Sequence, residues 1–163
     1  MSGAPDPPLY VSIIGAGDAG PDELAEAEAV GRELARAGAV VVCGGRGGVM
    51  EAACRGAAGE GGVSVGLLPD ADRAQANPFL SVAVPTGMGE LRNGLVARAG
   101  DAVIAIGGEF GTLSEIGFAL KLGRPVVGLG TWELARRGEP VAAIAVADGP
   151  QDAVARALAL ARR

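Results

Sequence analysis

The chain has 163 residues, enough for one domain with a sizeable core and too few for two ordinary ones. Apolar residues make up 49% of it and aromatics only 3%, so the core must be built from Ala, Val, Leu and Ile. A formal net charge of −5, the absence of histidine and two cysteines without metal-ligand spacing argue against nucleic acid, membrane surfaces, structural zinc and any Ser-His-Asp or Cys-His nucleophile system.

Residues 1–8 carry prolines and an aspartate where a signal peptide needs charge and an apolar run, and read as a disordered tail ahead of a domain over 9–163. The longest apolar stretches, Ala39–Cys43 and Ala102–Ile106, are too short to span a bilayer, and the protein is expected to be cytoplasmic. Leu9–Gly15 reads as a buried strand. Pro21–Ala37 reads as a helix, with Asp22 and Glu23 in its first turn, Gly38 as its stop, and Leu24, Ala27, Gly31 and Leu34 on one face. A strand at Ala39–Cys43 leads through glycines to a helix at Val49–Ala58, and Val63–Leu67 forms a third strand. Pro69–Pro78, rich in Pro and Asp, reads as a long loop that ends in a strand at Ser81–Val84. Gly87–Ala99 reads as a helix whose Leu91, Leu95 and Ala99 form the buried stripe. It is followed by a strand at Asp101–Ile106 and a helix at Thr112–Leu122. The chain closes with strands at Val126–Leu129 and Ala142–Val146 and a helix at Pro150–Arg163.

Unbroken apolar strands are buried on both faces, and strands alternating with helices imply right-handed crossovers. The expected fold is therefore α/β, a single doubly wound and mostly parallel sheet with helices on both faces. Ligands of such sheets bind beyond the carboxyl ends of the strands, where strand order reverses. Three glycine clusters fall at strand ends.

The first, Gly15-Ala16-Gly17-Asp18-Ala19-Gly20, matches a dinucleotide fingerprint in form, with Gly15 and Gly17 as candidate ligand contacts. The acidic ribose partner that NAD requires is missing, because the second strand runs into Gly44-Gly45-Arg46; an arginine there suits a 2′-phosphate instead. That second cluster, with Gly44, Gly45 and Arg46, and the third, Gly107-Gly108-Glu109-Phe110-Gly111-Thr112, share one pattern of strand, glycine turn and helix start. Glycines permit close backbone approach, and free N–H groups with the helix dipole favour an anion, so a phosphate is the expected guest. A plain capping box, Thr112-x-x-Glu115, is the competing explanation of the third cluster. Arg92 is a second candidate: either a solvated surface arginine or an anion ligand near the strand ends. Arg98 is read as a helix-terminus charge, and Phe110 and Trp132 suit packing as well as ring stacking.

Gly44-Gly45-Arg46-Gly47-Gly48-Val49-Met50-Glu51, Arg92-Asn93 and Gly107 to Glu115 together resemble the Lonely Guy superfamily, over about Tyr10 to Gly130. Within it, the chain is most similar to a Rossmann-like branch that includes molybdenum-cofactor carrier proteins. The resemblance implies that Gly107, Gly108, Gly111 and Thr112 hold a nucleotide 5′-phosphate and that Arg92 and Glu115 are catalytic, supporting hydrolysis of the base–ribose bond; Arg92 is expected to fix the phosphate or ribose and to keep Glu115 ionised. Ile106 in place of the motif's Pro, the extra residue between Gly108 and Gly111, and Asn93 where cytokinin-activating members carry Lys depart from the enzyme pattern. These departures fit a carrier of a phosphorylated ligand such as molybdenum cofactor. Either reading requires no resident cofactor and no metal, and the resemblance implies a homodimer.

Overall fold

A computed structural model describes residues 4–162, so residues 1–3 of the expected tail lie outside the described part, whereas 4–8 are exposed and carry no regular structure. Seven strands form one sheet in the order β4-β3-β2-β1-β5-β6-β9, and every neighbouring pair in it is parallel. The strands are β1 (Tyr10–Gly15), β2 (Val40–Cys43), β3 (Ser64–Leu68), β4 (Val82–Pro85), β5 (Ala102–Ile106), β6 (Val126–Leu129) and β9 (Ile144–Val146). The expected doubly wound α/β architecture is present.

Helices α1 (Pro21–Arg36), α2 (Val49–Gly59) and α5 (Pro150–Ala161) cover one face, and α3 (Asn93–Ala99) and α4 (Phe110–Lys121) cover the other. Alternation along β5 serves both layers. Ile104 and Ile106 join Val11, Ile13 and Val30 under the first group, while Val103 and Ala105 join Ile14, Val96 and Ile116 under the second. With so few aromatics, the core fills by close backbone approach. A Cβ on Gly31 of α1 would sit 1.9 Å from the Ala53 carbonyl oxygen, and one on Gly56 of α2 would sit 2.0 Å from that of Glu28. The two helices therefore touch backbone to backbone at glycines placed for that purpose.

Two differences from the sequence expectation matter. Strands β7 (Leu134–Arg136) and β8 (Glu139–Val141) form an unforeseen antiparallel hairpin, closed by Arg137 and Gly138 at φ 53° and 83°. A two-residue turn with positive φ at both positions matches strand twist, but Arg-Gly is not its usual sequence signal. The helix expected over Gly87–Ala99 is also shorter than its pattern. Gly87 and Gly89 take φ of 64° and 58°, a 3₁₀ turn covers Gly89–Arg92, and only then does α3 begin. The tighter period rotates the residues ahead of α3 relative to an α-helical register. Leu91, Leu95 and Ala99 face outwards, Leu91 being 74% exposed, and the buried side is Arg92, Asn93, Val96 and Ala97. Ser12 Oγ donates to the Val96 carbonyl at 2.6 Å and pins this side to β1.

Candidate functional site

Strand order reverses between β1 and β5, where Gly15 pairs with Ile106, and a cleft of about 290 Å³ opens just beyond their carboxyl ends. This is where an open α/β sheet places its ligand. Gly15, Ala16, Gly17 and Asp18 line it from β1, Glu109, Gly111, Thr112 and Glu115 from α4, and Arg92 and Asn93 from the start of α3. A larger depression of about 500 Å³, near Asp6 and Leu158, lies against the opposite, amino-terminal ends of β1 and β2.

Arg92 is the centre of the cleft. It is only 9% exposed, so it is not a solvated surface arginine. Nη2 donates to the Gly44 carbonyl at 3.3 Å and Nη1 donates to Asn93 Oδ1, yet Nε is buried without any acceptor among the described residues. Burial lowers the Arg92 pKa from its ordinary value, with Glu115 acting in the opposite direction. A buried guanidinium N–H without an acceptor is costly unless an anion completes it.

Glu115, 7% exposed, is pushed up to a pKa of about 8 by burial, which outweighs the attraction of Arg92. No salt bridge joins the two among the described residues. Burial thus works against the expected role of Arg92 in keeping Glu115 ionised, and shifts the carboxyl towards its protonated form.

The capping-box explanation also falls. The N-cap of α4 is Glu109, with no side-chain cap, and Thr112 is the third residue of the helix, buried inside its first turn. The first-turn N–H groups of α4 thus lack a side-chain acceptor. Gly107 and Gly108, at φ 51° and 108°, turn the chain from β5 into α4 but line a separate shallow depression with Glu23, Thr131 and Trp132. A Cβ on Gly108 would sit 2.5 Å from the Thr112 side chain, so these two glycines set where the helix starts.

The second glycine cluster stands behind the cleft. A Cβ on Gly44 would come within 2.6 Å of Arg92 Nη2, and Gly45, at φ 79°, packs on the Leu68 side chain. Arg46 Nη1 donates to both carboxylate oxygens of Asp70, at 2.9 and 2.7 Å. Asn77 donates to the Arg46 and Gly45 carbonyls and so fastens the Pro69–Pro78 loop to this turn. Phe110 is 77% exposed and stacks on Trp132 with ring centroids 5.7 Å apart, outside the cleft. Met50, Pro69, Asp18 and Glu90 line the cleft without having been singled out from sequence. Asn93 carried a signal as part of the Arg92-Asn93 pair in the family resemblance and as a departure from the cytokinin-activating pattern, but not as a site residue. Among the described residues, no group of three or more His, Cys, Asp or Glu is placed to hold a metal ion.

A family model, SLOG cluster4, matches residues 8–154. The chain belongs to the SLOG cluster4 family. A relative from Archaeoglobus fulgidus, described as an uncharacterized protein, is 40% identical over 121 residues, 74% of this chain and 80% of that one. The SLOG cluster4 chain also superposes on the molybdenum cofactor binding protein of Rippkaea orientalis with a TM-score of 0.86 and 29% identity, over 95% of this chain and 98% of that one. The molybdenum cofactor carrier protein of Chlamydomonas reinhardtii gives a TM-score of 0.82 and 28% identity, over 96% and 100%. The kinship expected from the glycine motifs, with its molybdenum-cofactor-carrier branch, is thereby shown.

Proposed function

We propose that this chain binds and carries a phosphorylated small molecule, whose phosphate is held by Arg92 Nε and the uncapped first turn of α4. The observation that carries the reading is the buried Nε without an acceptor, beside a helix start whose amides are open. Gly111 and Thr112 contribute backbone there, Gly15 and Gly17 form the facing wall, and Gly107, Gly108, Gly44, Gly45 and Arg46 shape the seat from behind. A protonated Glu115 supports the same reading, since a neutral carboxyl donates a hydrogen bond to a phosphate oxygen where a carboxylate would repel it.

Molybdenum cofactor, carried as cargo, is the preferred ligand, because two structural neighbours are described as binding or carrying it. The donor set fits its phosphate, and Asp18, Glu90 and Glu109 on the lining offer acceptors to the N–H groups of a pterin or purine ring. A nucleoside 5′-monophosphate presents similar chemistry. Hydrolysis of its base–ribose bond is the second reading, favoured by Arg92 and Glu115 lining one cleft. It calls for an ionised carboxylate near the sugar, which the burial of Glu115 disfavours at neutral pH. Carriage is therefore preferred over turnover.

The exposed apolar residues Leu91, Leu95, Phe118 and Leu122 on α3, its approach and α4 support a homodimer built on that face. Two free cysteines support a reducing, cytoplasmic setting. No helix among the described residues is long and apolar enough to cross a membrane. Mass spectrometry of ligand released from purified protein, with thermal shifts by molybdopterin-type compounds and nucleoside monophosphates, tests carriage. The reading fails if no phosphorylated compound is bound or if Arg92→Ala binds it as well as wild type. Base release above a Glu115→Ala control would reinstate hydrolysis.

A further inference from the structure

We infer that Asn93, acting through Ser114, is a positioning residue that locks the guanidinium of Arg92 to the first turn of α4. The inference rests on the phospho-ligand reading of the cleft and adds to it two residues that do not touch the phosphate.

The hydrogen bonds have only one consistent polarity. Arg92 offers donors alone, so the amide of Asn93 must turn its oxygen towards Nη1. Its Nδ2 then points the other way and donates to Ser114 Oγ at 3.2 Å. The single Ser114 hydroxyl proton is used on the Gly111 carbonyl at 2.6 Å, which leaves the oxygen lone pairs to accept from Asn93. Gly111 belongs to the first turn of α4, the helix whose open amides form the other half of the proposed seat. Arg92 and α4 are thus joined by one chain of hydrogen bonds: Nη1 to Asn93, Asn93 to Ser114, Ser114 to Gly111. With Nη2 engaged at Gly44, the guanidinium is held from two sides, and Nε is the nitrogen left without a partner.

An arginine side chain has several rotatable bonds, and holding it in place before the ligand arrives spares the entropy of ordering it on binding. Asn93 is only 8% exposed and needs partners for its amide wherever it points, so satisfaction of a buried asparagine is the competing explanation. The two are separable at Ser114, which is exposed at the far end of the chain and contributes nothing to the core.

The test is a titration with inorganic phosphate, followed by the ¹H–¹⁵N cross-peak of Arg92 Nε, alongside chemical denaturation of each variant. Wild type should show a saturable shift of that peak. Ser114→Ala should weaken phosphate binding several-fold, on the order of what one neutral hydrogen bond contributes, and speed exchange of the Nε proton, with the unfolding midpoint unchanged. Ser114→Thr, which keeps the hydroxyl, should restore both. Asn93→Ala should weaken binding by about tenfold. If phosphate shifts the peak equally in wild type, Ser114→Ala and Asn93→Ala, the positioning role is wrong while the phosphate seat stands. If phosphate leaves the wild-type peak unmoved, the seat and the positioning role fall together.

Discussion

Replacing Glu115 by Gln should change how stability depends on pH, in a direction opposite to that of most carboxylates. The folded-state pKa of about 8 stands above the ordinary value of 4.5 because burial disfavours the charged form more than Arg92 favours it. Between those two values the unfolded chain has lost the proton and the folded chain keeps it. The unfolded state therefore binds fewer protons, and stability falls as pH rises, at about 1.4 kcal/mol per pH unit. Over the whole interval from 4.5 to about 8 the loss is ~5 kcal/mol, after which the curve is flat because both states are ionised. Glu115→Gln has no proton to lose and removes this slope. Urea denaturation of wild type and variant from about pH 5 to about pH 9 checks it, since the difference between the curves cancels every other titrating group. The variant should overtake wild type by several kcal/mol at the alkaline end. Parallel curves would mean that Glu115 is ionised when folded, and both the protonated donor and the preference for carriage over turnover would lose their basis.

Gly44→Ala puts a methyl group 2.6 Å from Arg92 Nη2 and 2.8 Å from Met50 Sδ, both at the ends of flexible side chains. Phosphate or nucleotide affinity, measured by calorimetry, should fall at least tenfold while thermal stability changes by less than about 1 kcal/mol. Gly31→Ala meets backbone instead, and should destabilise by about 1–3 kcal/mol in denaturant melts despite the better helix propensity of alanine. Gly117→Ala, on α4 with nothing within 4 Å of the added methyl, should stabilise by about 0.5–1 kcal/mol in the same melts. Leu91→Glu and Phe118→Glu, each on the exposed apolar face, should yield folded monomers by light scattering if wild type is the proposed dimer, and a monomeric wild type would dispose of that dimer.

The order of elements was readable because its signals are local. Buried parallel strands are continuous runs such as Ala102–Ile106, and α1 announces itself by Pro21, Asp22 and Glu23 at its start and by Gly38 at its stop, which takes a positive φ. Reading failed where local rules compete with tertiary ones. Leu91, Leu95 and Ala99 have helical spacing, but α3 packs through Asn93, Val96 and Ala97 instead and leaves that stripe outside. Thr112 and Glu115 have capping-box spacing, but α4 starts earlier, at Phe110, and buries both. The β7–β8 hairpin lacked its customary turn residues.

The α/β architecture, the kinship carried by the glycine clusters and the choice of Arg92 and Glu115 as candidates were legible in the sequence, since periodicity, glycine placement and residue identity are properties of a short stretch of chain. Only the tertiary structure decided which candidates share a cleft. It brought Gly15, Gly17, Arg92, Gly111, Thr112 and Glu115 together at the reversal of strand order and left Gly44, Gly45, Arg46, Gly107 and Gly108 behind or beside them. It also set the upward pKa shift of Glu115 and the vacant hydrogen bond of Arg92 Nε, because burial and desolvation depend on what distant segments pack around a group.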